Sequence, residues 1–158
     1  MTEREREFFA GLPRTRGAAT ALLLDDGARY VIVDPTYKPL WSLPGGVIED
    51  GESPFTACHR ECREELGVDV TLDRLLCVDW LPDTHGTGAA NIFVFLGHVT
   101  AGQTERFRLP PDELAAWRLI TSEETAEFLP PAMSRRVRAC LTAARDGSTL
   151  YLEDGTPV

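Results

Sequence analysis

A doubled glycine, a capped helix and a single glycine follow one another between positions 45 and 67, and no other stretch narrows the fold as much. Ser53 is suited to cap a helix, and Pro54 fits the first turn, where its missing N–H costs nothing. The spacing of apolar residues predicts a helix over Pro54–Leu66, stopped by Gly67 in a left-handed conformation. At about 100° per residue, Phe55, Cys58, Cys62 and Leu66 fall in one stripe, which must face a core. Glu61, Glu64 and Glu65 are spaced i, i+3, i+4 and gather beside that stripe.

Three carboxylates on one helix face repel one another. The cost is a few tenths of a kcal/mol per exposed i,i+4 pair, and about 4 kcal/mol for two charges 4 Å apart at an effective dielectric near 20. Two readings are open. One is a solvated acidic face, softened by Arg60 one turn before Glu64. The other is a set of hard oxygen ligands for Mg²⁺ or Mn²⁺. Gly45-Gly46, one short loop upstream, favours the second, because glycines let the backbone turn sharply and offer its polar groups to a ligand. The charge balance bears on the partner. Lys and Arg number 16 against 25 Asp and Glu, for a net charge of −9, and more than half of it falls between Glu49 and Asp69. Such an excess argues against holding a long phosphate backbone. It leaves room for a small phosphorylated molecule, since a bound cation reverses the local sign.

The remainder reads as one domain of mixed strands and few helices. A short charged helix is expected over 2–10, forming with the following residues an N-terminal arm over 1–16 that is open to pairing across a homodimer or to standing free. Strands are expected over 18–24, 30–33, 47–48, 91–99 and 117–120, and a strand or bent pair of strands over 68–80, with a tight turn at Asp26-Gly27. A small helix capped by Thr121 or Ser122, a longer helix over 131–144 and a terminal hairpin over 149–158 complete the chain. No apolar run is long enough to cross a membrane. Met1 to Phe9 lacks the apolar core of a secretion signal, which places the protein in the cytoplasm. Cys58, Cys62, Cys77 and Cys140 are then reduced thiols packed in the interior.

Gly46, five residues, Glu52, seven residues, and then Arg60-Glu61-Cys62-Arg63-Glu64-Glu65-Leu66-Gly67-Val68 resembles the Nudix box, G-x5-E-x7-R-E-U-x-E-E-x-G-U, where U is bulky and aliphatic. Every fixed position matches, and only Cys62 departs mildly, at the first U. At ordinary residue frequencies a chance match in a chain of this length is about one in a million. The lead-in Trp41-Ser42-Leu43-Pro44-Gly45-Gly46 and the stretch from Glu113 to Trp117 are also similar to this family of MutT-like pyrophosphohydrolases.

The resemblance implies an α/β/α sandwich, a mixed β-sheet flanked by helices, over 17–158. It implies metal-dependent hydrolysis of a pyrophosphate bond in a nucleoside diphosphate derivative, such as a (deoxy)nucleoside triphosphate or ADP-ribose, by water attack at phosphorus. Glu61, Glu64 and Glu65 take the place of metal ligands for Mg²⁺ or Mn²⁺, joined by the carbonyl of Gly45. Glu52 takes that of a supporting or bridging acid, and Arg60 that of an ion-pairing group which orients the glutamates. The proton of the attacking water falls to Glu64, or to Glu113 or Glu105 outside the box. Trp41 and Trp80 offer rings to stack on a base, although Trp41 also suits the core. The polar loop 82–88 brings His85, which suits either solvent or the leaving group. Two alternatives accompany this reading. A catalytically silent nucleotide-binding regulator would be expected to lack a box glutamate, and all are present. An RNA 5′-pyrophosphohydrolase would be expected to carry a basic track, and the chain is acidic. The expected partner is therefore a small nucleotide, with neither nucleic acid nor membrane. Glu64→Gln and Glu65→Gln are each expected to abolish metal-dependent turnover while the far-ultraviolet circular dichroism stays unchanged.

Overall fold

The computed structural model describes the 158-residue chain apart from position 85. Its centre is β1 (Arg16–Leu24), whose small and aliphatic side chains pack on both faces. Along one edge β1 runs parallel to β5 (Ala90–His98), from Arg16 opposite Ala90 to Leu24 opposite His98. Two strands share its other edge. β3 (Gly45–Val47) pairs antiparallel with Ala18 to Thr20, and β2 (Tyr30–Pro35) joins at Leu24. The edge of β1 is therefore handed from one strand to another midway, and the glycine pair sits on the first.

Outward from β2 lies β6 (Leu114–Ile120), and outward from β5 lie β4 (Thr71–Leu81), β7 (Leu150–Glu153) and β8 (Thr156–Pro157). The β1–β5 and β4–β7 pairs are parallel and the others antiparallel, so the sheet is mixed. Helix α1 (Glu3–Ala10), closed by a capping box between Thr2 and Glu5, buries none of its residues. Helix α2 (Pro54–Leu66) covers one face of the sheet. Its Ala57, Cys58, Cys62 and Leu66 pack on Ala19, Ala21, Leu23, Val31 and Phe95. The short α3 (Ala101–Thr104) and α4 (Thr125–Phe128) precede α5 (Pro131–Asp146), which covers the other face. There Val137, Cys140 and Ala143 meet Leu22, Ile32, Leu76, Val94 and Leu152. Two cores separated by one sheet make the expected α/β/α sandwich. All four cysteines are buried free thiols, two in each core. No described helix is long and apolar enough to cross a membrane.

Several local expectations are corrected. Helix α2 ends as expected, with Gly67 at φ 71°. The next strand starts at Thr71 rather than 68, because the chain must first cross from the helix layer to the sheet. The strand expected over 117–120 begins at Leu114, since β2 offers pairing partners as far as Pro35. Phe55 lies in the first turn and is 42 % exposed, with its ring edge against Phe95 and His59 rather than in the core; Ala57 fills that place. The turn after β1 is organised by Asp25, whose carboxylate accepts the N–H groups of Gly27 and Arg29 and pairs with the Arg29 guanidinium at 2.7 Å. α4 is capped by neither Thr121 nor Ser122; the Glu124 carboxylate instead accepts the Thr121 N–H. α3, held by a capping box between Thr100 and Gln103, is too short to leave a periodic signal.

The sheet and the α4–α5 segment are joined by a buried hydrogen bond from the Tyr30 hydroxyl to Thr125 Oγ1 at 2.8 Å, while Thr125 itself donates to the Ser122 carbonyl. Burial pushes the Tyr30 phenol up to about 12. An unfolded tyrosine ionises near pH 10, so the unfolded chain loses that proton first and stability falls as pH rises from about 10 to about 12. Tyr30→Phe is expected to cost about 1 kcal/mol at neutral pH and to flatten this alkaline decline, as read by denaturant melts at successive pH values.

Candidate functional site

The site begins with a backbone contact. The Pro44 carbonyl accepts the Ala21 N–H, and Gly45 and Gly46 lie against Thr20 and Ala19. Gly45 has φ 137°, and a side chain there would strike the backbone of Ala19 and Thr20. Gly46 faces the other way, and a Cβ on it would stand 2.5 Å from Glu61 Cδ. The glycine pair thus serves two close approaches, one to β1 and one to the acids of α2. The Gly45 N–H donates to Glu65 Oε2 at 2.8 Å, which ties strand and helix together.

Arg60 organises the rest. Its Nε and Nη2 donate to the two oxygens of Glu52, each at 2.9 Å. Its Nη1 donates to Glu61 at 2.8 Å and to Glu64 at 3.1 Å, and Nη2 also reaches the Val47 carbonyl. The guanidinium holds the Glu52 carboxyl below its ordinary range. Glu61 is raised by burial despite Arg60, with the charges of Glu64 and Glu113 adding to the shift. Glu65 lies deeper. Burial pushes it up to about 8 against the Gly45 hydrogen bond, and the charges of Glu61 and Glu113 push the same way.

Glu61, Glu65 and Glu113 line one cavity of about 540 Å³. Glu113 arrives from the turn before β6, which is pinned when Thr36 donates its N–H to the Glu113 carbonyl and its hydroxyl to that of Asp112. Among the described residues, no three carboxylate, imidazole or thiol groups are already drawn together around a point where an ion would sit. The chemistry of the donor set nevertheless fits a hard divalent cation. Carboxylates from α2 and from the turn before β6 converge on the cavity, Glu61 and Glu65 half-buried, and Glu65 has only an N–H as its direct partner. A cation would offset the neighbouring carboxylate charges that add to the effect of burial on Glu61 and Glu65.

The remaining expected residues are placed differently. Glu64 is 57 % exposed, pairs with Arg60 and is not part of the cavity wall. Glu105 ends α3 on the surface. Trp41 packs edge-on against Phe128, with Arg118 over its ring, and Trp80 lies on β4; neither lines the cavity. The expectation for His85 lies outside the described residues. Sequence reasoning missed the cavity residue Arg136 and its buried partner Asp79, 2.6 Å away. The signal was present. Asp79 is a lone acid in the apolar run of β4, and Arg136 falls on the apolar stripe of α5 at helical spacing from Met133, Val137 and Cys140.

Comparison with known proteins agrees with this geometry. Residues 14–141 match the NUDIX domain family. A Bacillus subtilis protein named as a putative 8-oxo-dGTP diphosphatase is 26 % identical over 141 residues, 89 % of each chain. An RNA pyrophosphohydrolase of Dinoroseobacter shibae is 38 % identical over 78 residues, which are 46 % of this chain and 48 % of that one. The crystal structure of a UDP-X diphosphatase superposes with a TM-score of 0.72 at 20 % identity, covering 96 % of this chain and 75 % of that one, a likeness of fold.

Gly46→Ala is expected to displace the Glu61 carboxylate without unfolding the chain, because the backbone there is within reach of any residue. Calorimetric titration with Mn²⁺ should then show affinity reduced roughly tenfold or more, as for other losses of support around a metal ligand.

Proposed function

The chain belongs to the NUDIX family, and from that membership we propose that it hydrolyses a phosphoric anhydride bond in a small nucleoside diphosphate derivative, with Mg²⁺ or Mn²⁺ as cofactor. The observation that carries this reading is the convergence of Glu61, Glu65 and Glu113 on one cavity beside the Gly45-Gly46 bend. An anionic wall of this kind binds a polyanionic substrate only with cations between them. When bound, a divalent cation offsets phosphate charge and lowers the pKa of water, which suits in-line displacement at phosphorus.

The chain's own residues have separable parts in this proposal. Glu61 and Glu65 hold the cation, with the Gly45 carbonyl and Glu64 as further ligands. Glu64 reaches the site by leaving Arg60, and that exchange is inexpensive. An ion pair on so exposed a carboxylate is worth no more than about 1 kcal/mol. Arg60 keeps Glu61 turned toward the cavity, and Glu52 keeps Arg60 in place through both of its oxygens. Glu113 accepts a proton from the attacking water, because it lines the cavity without being tied to Arg60. A nucleoside triphosphate is the favoured substrate class, as a relative that matches over 89 % of each chain is named as a diphosphatase of one.

A second reading, hydrolysis at the 5′ end of RNA, is favoured by the relatives named as RNA pyrophosphohydrolases. The net charge of −9 opposes it. The two readings differ in salt dependence, since a long RNA engages its protein through many phosphates.

The test is a panel of nucleoside triphosphates, ADP-ribose and 5′-triphosphorylated RNA with Mg²⁺, Mn²⁺ or chelator, in water labelled with ¹⁸O. The expected result is cleavage of free nucleotides that chelator abolishes and moderate salt leaves unchanged, with label on the phosphate product. Glu113→Gln is expected to lower kcat roughly a hundredfold, the usual scale for a proton-transfer group, with KM little changed. Absence of phosphate product from every member of the panel would refute the reading.

A further inference from the structure

Arg136 is a charged side chain built into an apolar stripe. It is 4 % exposed, between Met133 and Val137 on α5. Its Nε donates to Asp79 Oδ2 at 2.6 Å. Asp79 is wholly buried, and its other oxygen accepts the Gly155 N–H at 3.0 Å. Burying such a pair is costly, and apolar side chains would pack as well. The guanidinium's Nη1 and Nη2 have no partner among the described residues, and Arg136 lines the cavity that also holds Glu61 and Glu65. On β1, Thr20 lines the same cavity, and its Oγ1 is the one fully buried side-chain oxygen or nitrogen among the described residues that lacks a hydrogen-bond partner. Open guanidinium donors on the wall of a cavity, beside a strand residue whose hydroxyl is also unsatisfied, indicate a ligand that completes the donors.

The chemistry of that ligand follows from the surroundings. Asp79 cancels the charge of Arg136, so what remains for recognition is a flat pair of N–H donors rather than an attraction for anions. The phosphates of a nucleotide belong at the carboxylate end, where the cation is held. Leu81, Ile92 and Met133 supply apolar walls suited to the faces of a ring. A ring between those walls presents an edge to Arg136. Guanine carries two adjacent acceptors on one edge, O6 and N7. Adenine sets an amino group beside N7, which opposes a donor. Oxidation of guanine at C8 places a hydrogen on N7, which removes one of the two acceptors.

We propose that Arg136 reads the O6–N7 edge of guanine, with Asp79 as the residue that positions it, and that the cavity thereby selects guanine nucleotides over adenine and over C8-oxidised guanine. The proposal rests on the reading of the cavity as a nucleotide site.

The experiment measures binding of dGMP, dAMP and 8-oxo-dGMP by calorimetry, and turnover of the three triphosphates, with the full-length protein. The variants are Arg136→Lys, which keeps a cation against Asp79, and the double variant Asp79→Asn with Arg136→Met, which leaves no buried charge and keeps an acceptor for Gly155. The wild type is expected to prefer dGMP over both others by roughly tenfold to a hundredfold. Both variants are expected to erase that preference while melting cooperatively. Equal weakening of all three ligands in the variants, accompanied by loss of competition from inorganic pyrophosphate, would assign the fork to phosphate and overturn the proposal. A wild type that does not discriminate among the three monophosphates overturns it as well, whatever the turnover. Discrimination among monophosphates with no turnover of any triphosphate supports the role of Arg136 and rejects the hydrolytic reading.

Discussion

One guanidinium makes the acidic site possible. Arg60 has five N–H donors, and each has an acceptor: two on Glu52, one each on Glu61 and Glu64, and the Val47 carbonyl. Those acceptors come from β3, the loop after it and α2, three stretches that the chain must bring together before any ion binds. Without Arg60, the carboxylates on α2 would repel one another in the partly buried setting where repulsion counts most. Lysine could not replace it, because a single ammonium has three donors and cannot face Glu52 with two parallel bonds. Arg60 leaves Glu65 untouched, so one deep carboxylate stays without a cationic partner in direct contact.

Arg60 and Arg136 differ in an instructive way. Arg60 is saturated by the protein, so it serves architecture. Arg136 has one bond, to a carboxylate that cancels its charge, and its outer nitrogens remain open to the cavity. Counting donors against acceptors separates a group that completes the fold from one that awaits something outside it.

The glycines, the cap and the spacing of the glutamates were legible because each is a local requirement. Gly67 is required by a left-handed helix end, Ser53 by an unpaired N–H, and the i, i+3, i+4 acids by a shared face. The α/β/α layering followed from the resemblance that these residues carry. What stayed hidden depends on partners distant in sequence. Asp79 and Arg136 stand 57 residues apart, and nothing near either shows that they meet. Phe55 obeyed the helical period but lay one turn too early to be covered. Trp41 has the chemistry to stack on a base, yet Phe128, far along the chain, takes its edge. Glu64 and Glu65 are neighbours in sequence, but helix rotation sends one toward solvent and the other into the cavity.

The sheet keeps two apolar interiors apart, with α2 and its acids on the first and α5 with Arg136 on the second. Side chains in different interiors share few neighbours, so changes in them combine almost additively. Substitutions on α5 can therefore redraw the cavity wall around Met133 and Arg136 while the acids of α2 keep their packing. A scaffold divided in this way is well suited to diversification: descendants can acquire new substrates one substitution at a time without first surrendering their chemistry.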